Sequence, residues 1–162
     1  MILVTVGTQL PFDRLIGIVD LLAAQSGEPF VAQIGDGAYV PEHMQWQRFI
    51  EPVEFDQLLK QARLIISHAG IGTVLNARKV QKPVILFPRE AARGEHRNDH
   101  QMATIGALEG REGVYIARTA EDMATLVSRD LVPPGEALLD PSHEALLNAV
   151  VTYIRELGHG RR

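Results

Sequence analysis

The sequence predicts an α/β fold built on a doubly wound parallel sheet, and three observations predict it. Short apolar runs alternate with segments of helical apolar period along most of the chain. The runs "ILVTV" and "PVILF" are almost free of polar residues, as strands covered on both faces must be. Polar, glycine-bearing breaks such as "GTQLP" and "HAGIGT" follow the runs, where strand turns into helix.

The elements follow in order. "ILVTV" (2–6) is the first strand, and Phe12, Leu15, Ile16, Val19, Leu22 and Ala23 give the next segment one apolar helical face. "FVAQI" (30–34) is the second strand and "QRFI" (47–50) the third. Phe55, Leu58, Leu59 and Ala62 form the stripe of a second helix. "RLIIS" (63–67) is the fourth strand, followed by a helix from Gly70 to Lys79. "PVILF" (83–87) and "GVYIA" (113–117) are the fifth and sixth, with a helix carrying Met102, Ile105 and Leu108 between them. Thr119 and Asp122 have capping-box spacing ahead of Met123, Leu126 and Val127. The Pro-rich stretch 132–141 reads as a linker to a last helix, 142–157, within a single domain spanning 1–162.

Composition narrows the function. A chain of 162 residues, 46% hydrophobic, suits one domain with a substantial core. A net charge of −4 argues against a nucleic-acid partner. The absence of cysteine excludes disulfides and thiolate metal sites. No run reaches the roughly 18 to 20 apolar residues of a membrane span. "MILVTVG" lacks a basic leader, so a cytoplasmic chain is expected.

Three polar loops fall at carboxyl ends of strands, where such sheets bind ligands: 7–13, 68–73 and 88–101. In the second, Gly70 and Gly72 remove bulk where a helix begins, and a helix N-terminus attracts anions. Thr73 and His68 can add donors, although the same glycines would also serve a plain tight turn. The dinucleotide fingerprint fails, because Leu75 stands where the third glycine belongs, and no Gly-Lys-Ser/Thr loop occurs. In the third loop His96 and His100 are four apart, but no third ligand accompanies them and no metal is expected. Asn98 and Gln101 fit a capping box, while Asp99, His100 and Gln101 fit a sugar's hydroxyls equally well. Arg93 and Arg97 suit a phosphate or a carboxylate.

The ordered set "VTVGTQLPFDRLI" (4–16), "ARLIISHAGIGTVLNA" (62–77), "KPVILFPR" (82–89) and "GEHRNDHQ" (94–101) resembles family 28 glycosyltransferases. It is similar to their C-terminal, UDP-sugar-binding half, a Rossmann-like domain of the GT-B fold. Within that group it looks most like the small stand-alone subunits. These include subunits of two-subunit dolichol-linked N-acetylglucosaminyltransferases and of bacterial exopolysaccharide glucuronosyl- or galactosyltransferases.

The resemblance implies a division of labour. Gly7 and Thr8, with Gly70, Ile71, Gly72 and Thr73, would surround the donor's diphosphate. Phe49 and Ile50 would line the uracil, and Asp99, His100 and Gln101 would hold the sugar. Arg93 would add charge, and His68 would donate to the leaving group as the sugar bond breaks. No cofactor is implied, since the UDP-sugar is the substrate. The missing acceptor half would be a membrane-anchored partner subunit holding a polyprenyl-diphosphate-linked sugar on the cytoplasmic face. The last helix, with Leu146, Leu147, Val150, Val151, Ile154 and Leu157, would help to bind it.

One position departs from the pattern. Relatives carry a glutamate where this chain has Asn76. An amide offers one acceptor oxygen where a carboxylate offers two, so ribose recognition is expected to differ. A non-catalytic nucleotide-sugar module and a sugar-nucleotide epimerase or hydrolase are the alternatives the residues leave open.

Overall fold

The computed structural model describes residues 1–95 and 105–135. Its strands are β1 (Ile2–Thr5), β2 (Phe30–Gln33), β3 (Gln45–Gln47), β4 (Leu64–His68), β5 (Val84–Phe87) and β6 (Val114–Ile116). They pair, all in parallel, in the order β3-β2-β1-β4-β5-β6. That order doubles back at β1, so β1 and β4 lie side by side at the point where the winding reverses.

Helices cover both faces. Ile2, Val4 and Val6 pack with Leu15, Ile16 and Val19 of α1 (Asp13–Gln25) and with Met123 of α4 (Ala120–Val127). Leu3, Ile65 and Leu86 pack instead with Leu59 of α2 (Pro52–Gln61) and with Val74 and Ala77 of α3 (Ile71–Lys79). Ile105 and Leu108 join this second layer from the helical residues 105–108. The period-two alternation of β1 thus feeds two cores, which is why its sequence is apolar throughout. The capping box at α4 forms as the spacing predicts: Asp122 N donates to Thr119 Oγ1 (3.1 Å) and Thr119 N to Asp122 Oδ2 (3.0 Å).

The third strand lies upstream of its expected place. It is Gln45–Gln47, exposed at all three residues, and not 47–50. An edge strand is chosen by backbone pairing rather than burial, so "QWQ" serves where an apolar run was sought. Ile50 is buried, but its N–H is taken by Gln33 Oε1 at 3.0 Å, not by a strand neighbour.

The chain between β2 and β3 is tied to α1 by a buried carboxylate. Asp20 is 1% exposed and accepts from Glu42 N (3.0 Å), His43 N (2.8 Å) and the Tyr39 hydroxyl (3.0 Å). At the other end, Tyr115 of β6 bonds both backbone groups of Val132 (2.9 and 3.1 Å). The remainder of the Pro-rich stretch and the segment 142–157 lie outside the described residues.

Candidate functional site

The loops after β1 and β4 face each other across the reversal point. Between them is a cleft of about 580 Å³. Gly7, Thr8 and Gln9 line it from the first loop, and His68, Gly70, Ile71, Gly72, Thr73 and Asn76 from the second loop and α3. Gln33, Phe55 and Arg89 also reach it, and among the described residues no carboxylate lines it. A site formed by a helix N-terminus, hydroxyls and cationic or neutral donors favours an anion. α3 begins there with Gly70 as N-cap and no side-chain cap; Thr73 N–H bonds the Gly70 carbonyl at 3.2 Å, and no side chain competes with a ligand for the N–H groups before it.

His68 sits at the centre of this arrangement, half-buried. Its Nδ1 is 3.2 Å from Ser67 Oγ, and that hydroxyl is 3.1 Å from Thr73 Oγ1. Both hydroxyls rotate, so the chain serves either ring tautomer. If Thr73 donates to Ser67 and Ser67 to Nδ1, the neutral ring carries its proton on Nε2. The Nε2 edge of the ring lies between two glycines. A Cβ on Gly7 would come within 2.7 Å of His68 Cε1, and one on Gly70 would overlap Nε2. Gly7 also has φ +77°, a backbone that favours glycine. The sequence suggests that glycines here make room for a phosphate; two of them make room for the imidazole. Gly72 faces open space, with nothing within 4 Å of a built Cβ.

Arg89 shapes the first loop. It is 2% exposed and donates to the carbonyls of Val6 (2.8 Å), Leu10 (2.7 Å), Pro11 and Glu95 (3.3 Å). Its guanidinium also lies 4.6 Å from the centre of the Phe12 ring. Burial pulls its pKa below the ordinary arginine value, and the charge of Glu95 opposes that shift. The Glu95 carboxylate is held by Arg14 Nε and Nη2, both at 2.7 Å, and by Glu90 N at 2.8 Å. Burial alone would raise the Glu95 pKa, but the Arg14 hydrogen bond, the Glu90 N–H and the nearby cations hold it below the usual range.

Residues 1–152 match the glycosyltransferase family 28 C-terminal domain. The chain belongs to that family. It is 31% identical over 105 residues to the UDP-N-acetylglucosamine transferase subunit ALG13 of Mus musculus; the match takes in 58% of this chain and 9% of the mouse protein. A solution structure of ALG13 resembles it with a TM-score of 0.57 at 19% identity, covering 90% of this chain and 94% of that one. MurG of Acinetobacter baumannii aligns with a TM-score of 0.57 at 22% identity, covering 78% of this chain and 40% of MurG. These likenesses bear out the expected fold, that of the C-terminal half of a GT-B enzyme.

The family 28 domain thus brings together Gly7, Thr8, His68, Gly70, Ile71, Gly72, Thr73 and Asn76 at one cleft. Phe49 and Ile50 are not among its lining residues: Phe49 is 49% exposed, and Ile50 is tied to Gln33. Arg93 is also not among them, and its Nε bonds Glu90 at 2.8 Å. Asp99, His100 and Gln101, like His96, Arg97 and Asn98, lie outside the described residues. Among the described residues no group of three His, Cys, Asp or Glu is placed to hold a metal ion, and no helix is long and apolar enough to cross a membrane.

Sequence reasoning missed Ser67, Gln33 and the loop-shaping role of Arg89. Gln33 Nε2 is 3.3 Å from both Thr5 Oγ1 and the Gly7 carbonyl, which joins β2 to the first loop. A glutamine ending an otherwise apolar run was the available signal, because a buried polar side chain must find partners.

Proposed function

We propose that this chain is the donor-binding catalytic subunit of an inverting glycosyltransferase that takes its sugar from a UDP-sugar. The observation that carries the reading is the cleft in which the Gly7 loop and the N-terminus of α3 meet around His68. A diphosphate fits that electrostatic setting.

In the proposed reaction, the bond from the anomeric carbon to the β-phosphate oxygen breaks and its electron pair leaves with UDP. An acceptor hydroxyl attacks from the opposite face, forms the new glycosidic bond and gives its proton to a base outside this domain. Negative charge grows on the departing diphosphate. Fixed N–H groups and a His68 Nε2 donor aimed at that charge would lower the barrier. No metal or further cofactor enters this proposal.

The acceptor we propose is a sugar on a polyprenyl diphosphate, presented by a membrane-anchored partner subunit during polysaccharide or glycolipid assembly. On this reading the chain works on the cytoplasmic side and meets the membrane only through its partner. The mouse relative is a subunit of a UDP-N-acetylglucosamine transferase, which supports a reading with more than one subunit.

Calorimetry with UDP and NAD tests donor recognition. UDP should bind and NAD should not, since the dinucleotide fingerprint stops at Leu75. Tighter binding of NAD would overturn the assignment. Binding of UDP-sugars without turnover in any combination with partners would leave a nucleotide-sugar module in its place.

A further inference from the structure

Arg89 is more than a brace for the fold. Stability alone does not call for it, because a buried guanidinium costs desolvation that an apolar side chain of similar size would avoid. Its hydrogen bonds have a definite destination. Three of the carbonyls it meets, those of Val6, Leu10 and Pro11, belong to the irregular segment between β1 and α1. Gln33 of β2 holds its start: its backbone carbonyl takes the Val6 N–H at 3.2 Å, and its Nε2 donates to the Gly7 carbonyl at 3.3 Å. The planar fork of donors sets the peptides that follow Val6, Leu10 and Pro11.

The consequence for the cleft follows from peptide geometry. A trans peptide points its C=O and N–H in opposite directions. With the Val6 carbonyl fixed on Arg89, the Gly7 N–H is turned the other way, where it meets Thr5 Oγ1 at 3.2 Å. Thr5 and Gly7 both line the cleft. The same guanidinium takes the Glu95 carbonyl, and the Glu95 carboxylate is gripped by Arg14 of α1. The loop after β1, the first turn of α1 and the segment after β5 are thereby held in one register.

We propose that Arg89 is a positioning residue for the donor: its carbonyl contacts turn the Gly7 N–H to the cleft side, where a diphosphate oxygen would share it with or take it from Thr5 Oγ1, and the Arg14–Glu95 pair locks that orientation to the segment after β5. The inference rests on reading the cleft as a diphosphate site.

The test compares wild type, Arg89→Lys and Arg89→Gln by UDP titration and by the amide NMR spectrum without ligand. Both variants should bind UDP roughly tenfold more weakly, the scale of one lost charge-assisted hydrogen bond. Both should also shift the Gly7 amide resonance while the amides of β4 and of α3 beyond its first turn stay in place. Full affinity in Arg89→Lys with loss only in Arg89→Gln would mean that the residue acts by its charge, and would overturn positioning. So would wild-type affinity in both variants, or an unmoved Gly7 amide. Failure of wild type to bind UDP would count against the diphosphate reading alone, because the Gly7 shift reports on positioning without ligand. Should Arg89→Gln not fold, Glu95→Gln keeps the guanidinium and loosens the lock. It should weaken UDP binding in the same direction by a smaller factor, and unchanged affinity there would also overturn the proposal.

Discussion

His68 joins the two halves of the cleft. Its ring fills the space that Gly7 and Gly70 leave open, and its Nδ1 meets the Ser67–Thr73 hydroxyl chain. On the proposed mechanism truncating it removes one donor aimed at the leaving group, so His68→Ala should lower turnover by roughly 10²-fold. The thermal midpoint should change little, since the ring lies at the cleft and not in either core. Unfolding of the variant with normal specific activity in its folded fraction would instead make His68 a structural residue. How much of this was legible in the sequence depended on distance along the chain. Gly7, Gly70 and His68 announce themselves locally, as turn residues directly after apolar runs. Arg89 does not, because its partners Val6, Leu10 and Pro11 lie 78 to 83 positions away. Nothing short of the sheet order brings them together.

Elements were legible where burial selects their residues. β1, β5 and β4 up to Ser67 are buried and read as apolar runs, whereas the edge strand β3 is exposed and reads as polar loop. The connection from β2 to β3 is of the second kind. It has no apolar period, and its place is fixed by polar bonds to Asp20. Burial by itself would raise the Asp20 pKa, but the N–H groups of Glu42 and His43 and the hydroxyl of Tyr39 outweigh it and hold the pKa below its usual value. The folded state therefore binds this proton less readily than the unfolded state, whose aspartate titrates near pH ~3.9. The contribution is complete well above that pH and is lost as pH falls through the lower, folded value. Asp20→Asn keeps one acceptor and adds two donors opposite existing donors, so it should cost about 2 kcal/mol at neutral pH. Denaturant titrations of both proteins should show the gap closing below pH ~4. A gap that stays constant down to pH ~2 would show that the carboxylate's charge plays no part.

The described residues form a six-stranded sheet with the cleft at its point of reversal, and the chemistry they offer there is one-sided. The chain aligns with 94% of the ALG13 structure and with 40% of MurG. The described residues around the cleft supply donors for a leaving group, yet none of the lining side chains is a carboxylate that could accept the acceptor's proton. His68 is the titratable base among them, and in the proposed reaction its Nε2 serves the diphosphate. Inversion requires the nucleophile and its base on the face of the sugar opposite the departing phosphate. On the proposed function, that surface is supplied by the partner subunit. The 162-residue chain alone should therefore bind UDP-sugar but transfer nothing to a lipid-linked acceptor, and transfer should appear when a membrane-anchored partner subunit is added. Mixing the purified chain with membranes containing or lacking that partner, and following radiolabelled sugar into the lipid fraction, measures this directly. The size of the effect should be close to all-or-none, because bringing the acceptor into place is worth effective molarities of about 10⁵ M or more. Full transferase activity from the purified chain without a partner would mean that acceptor and base are both accommodated within this chain, and the two-subunit reading would fall.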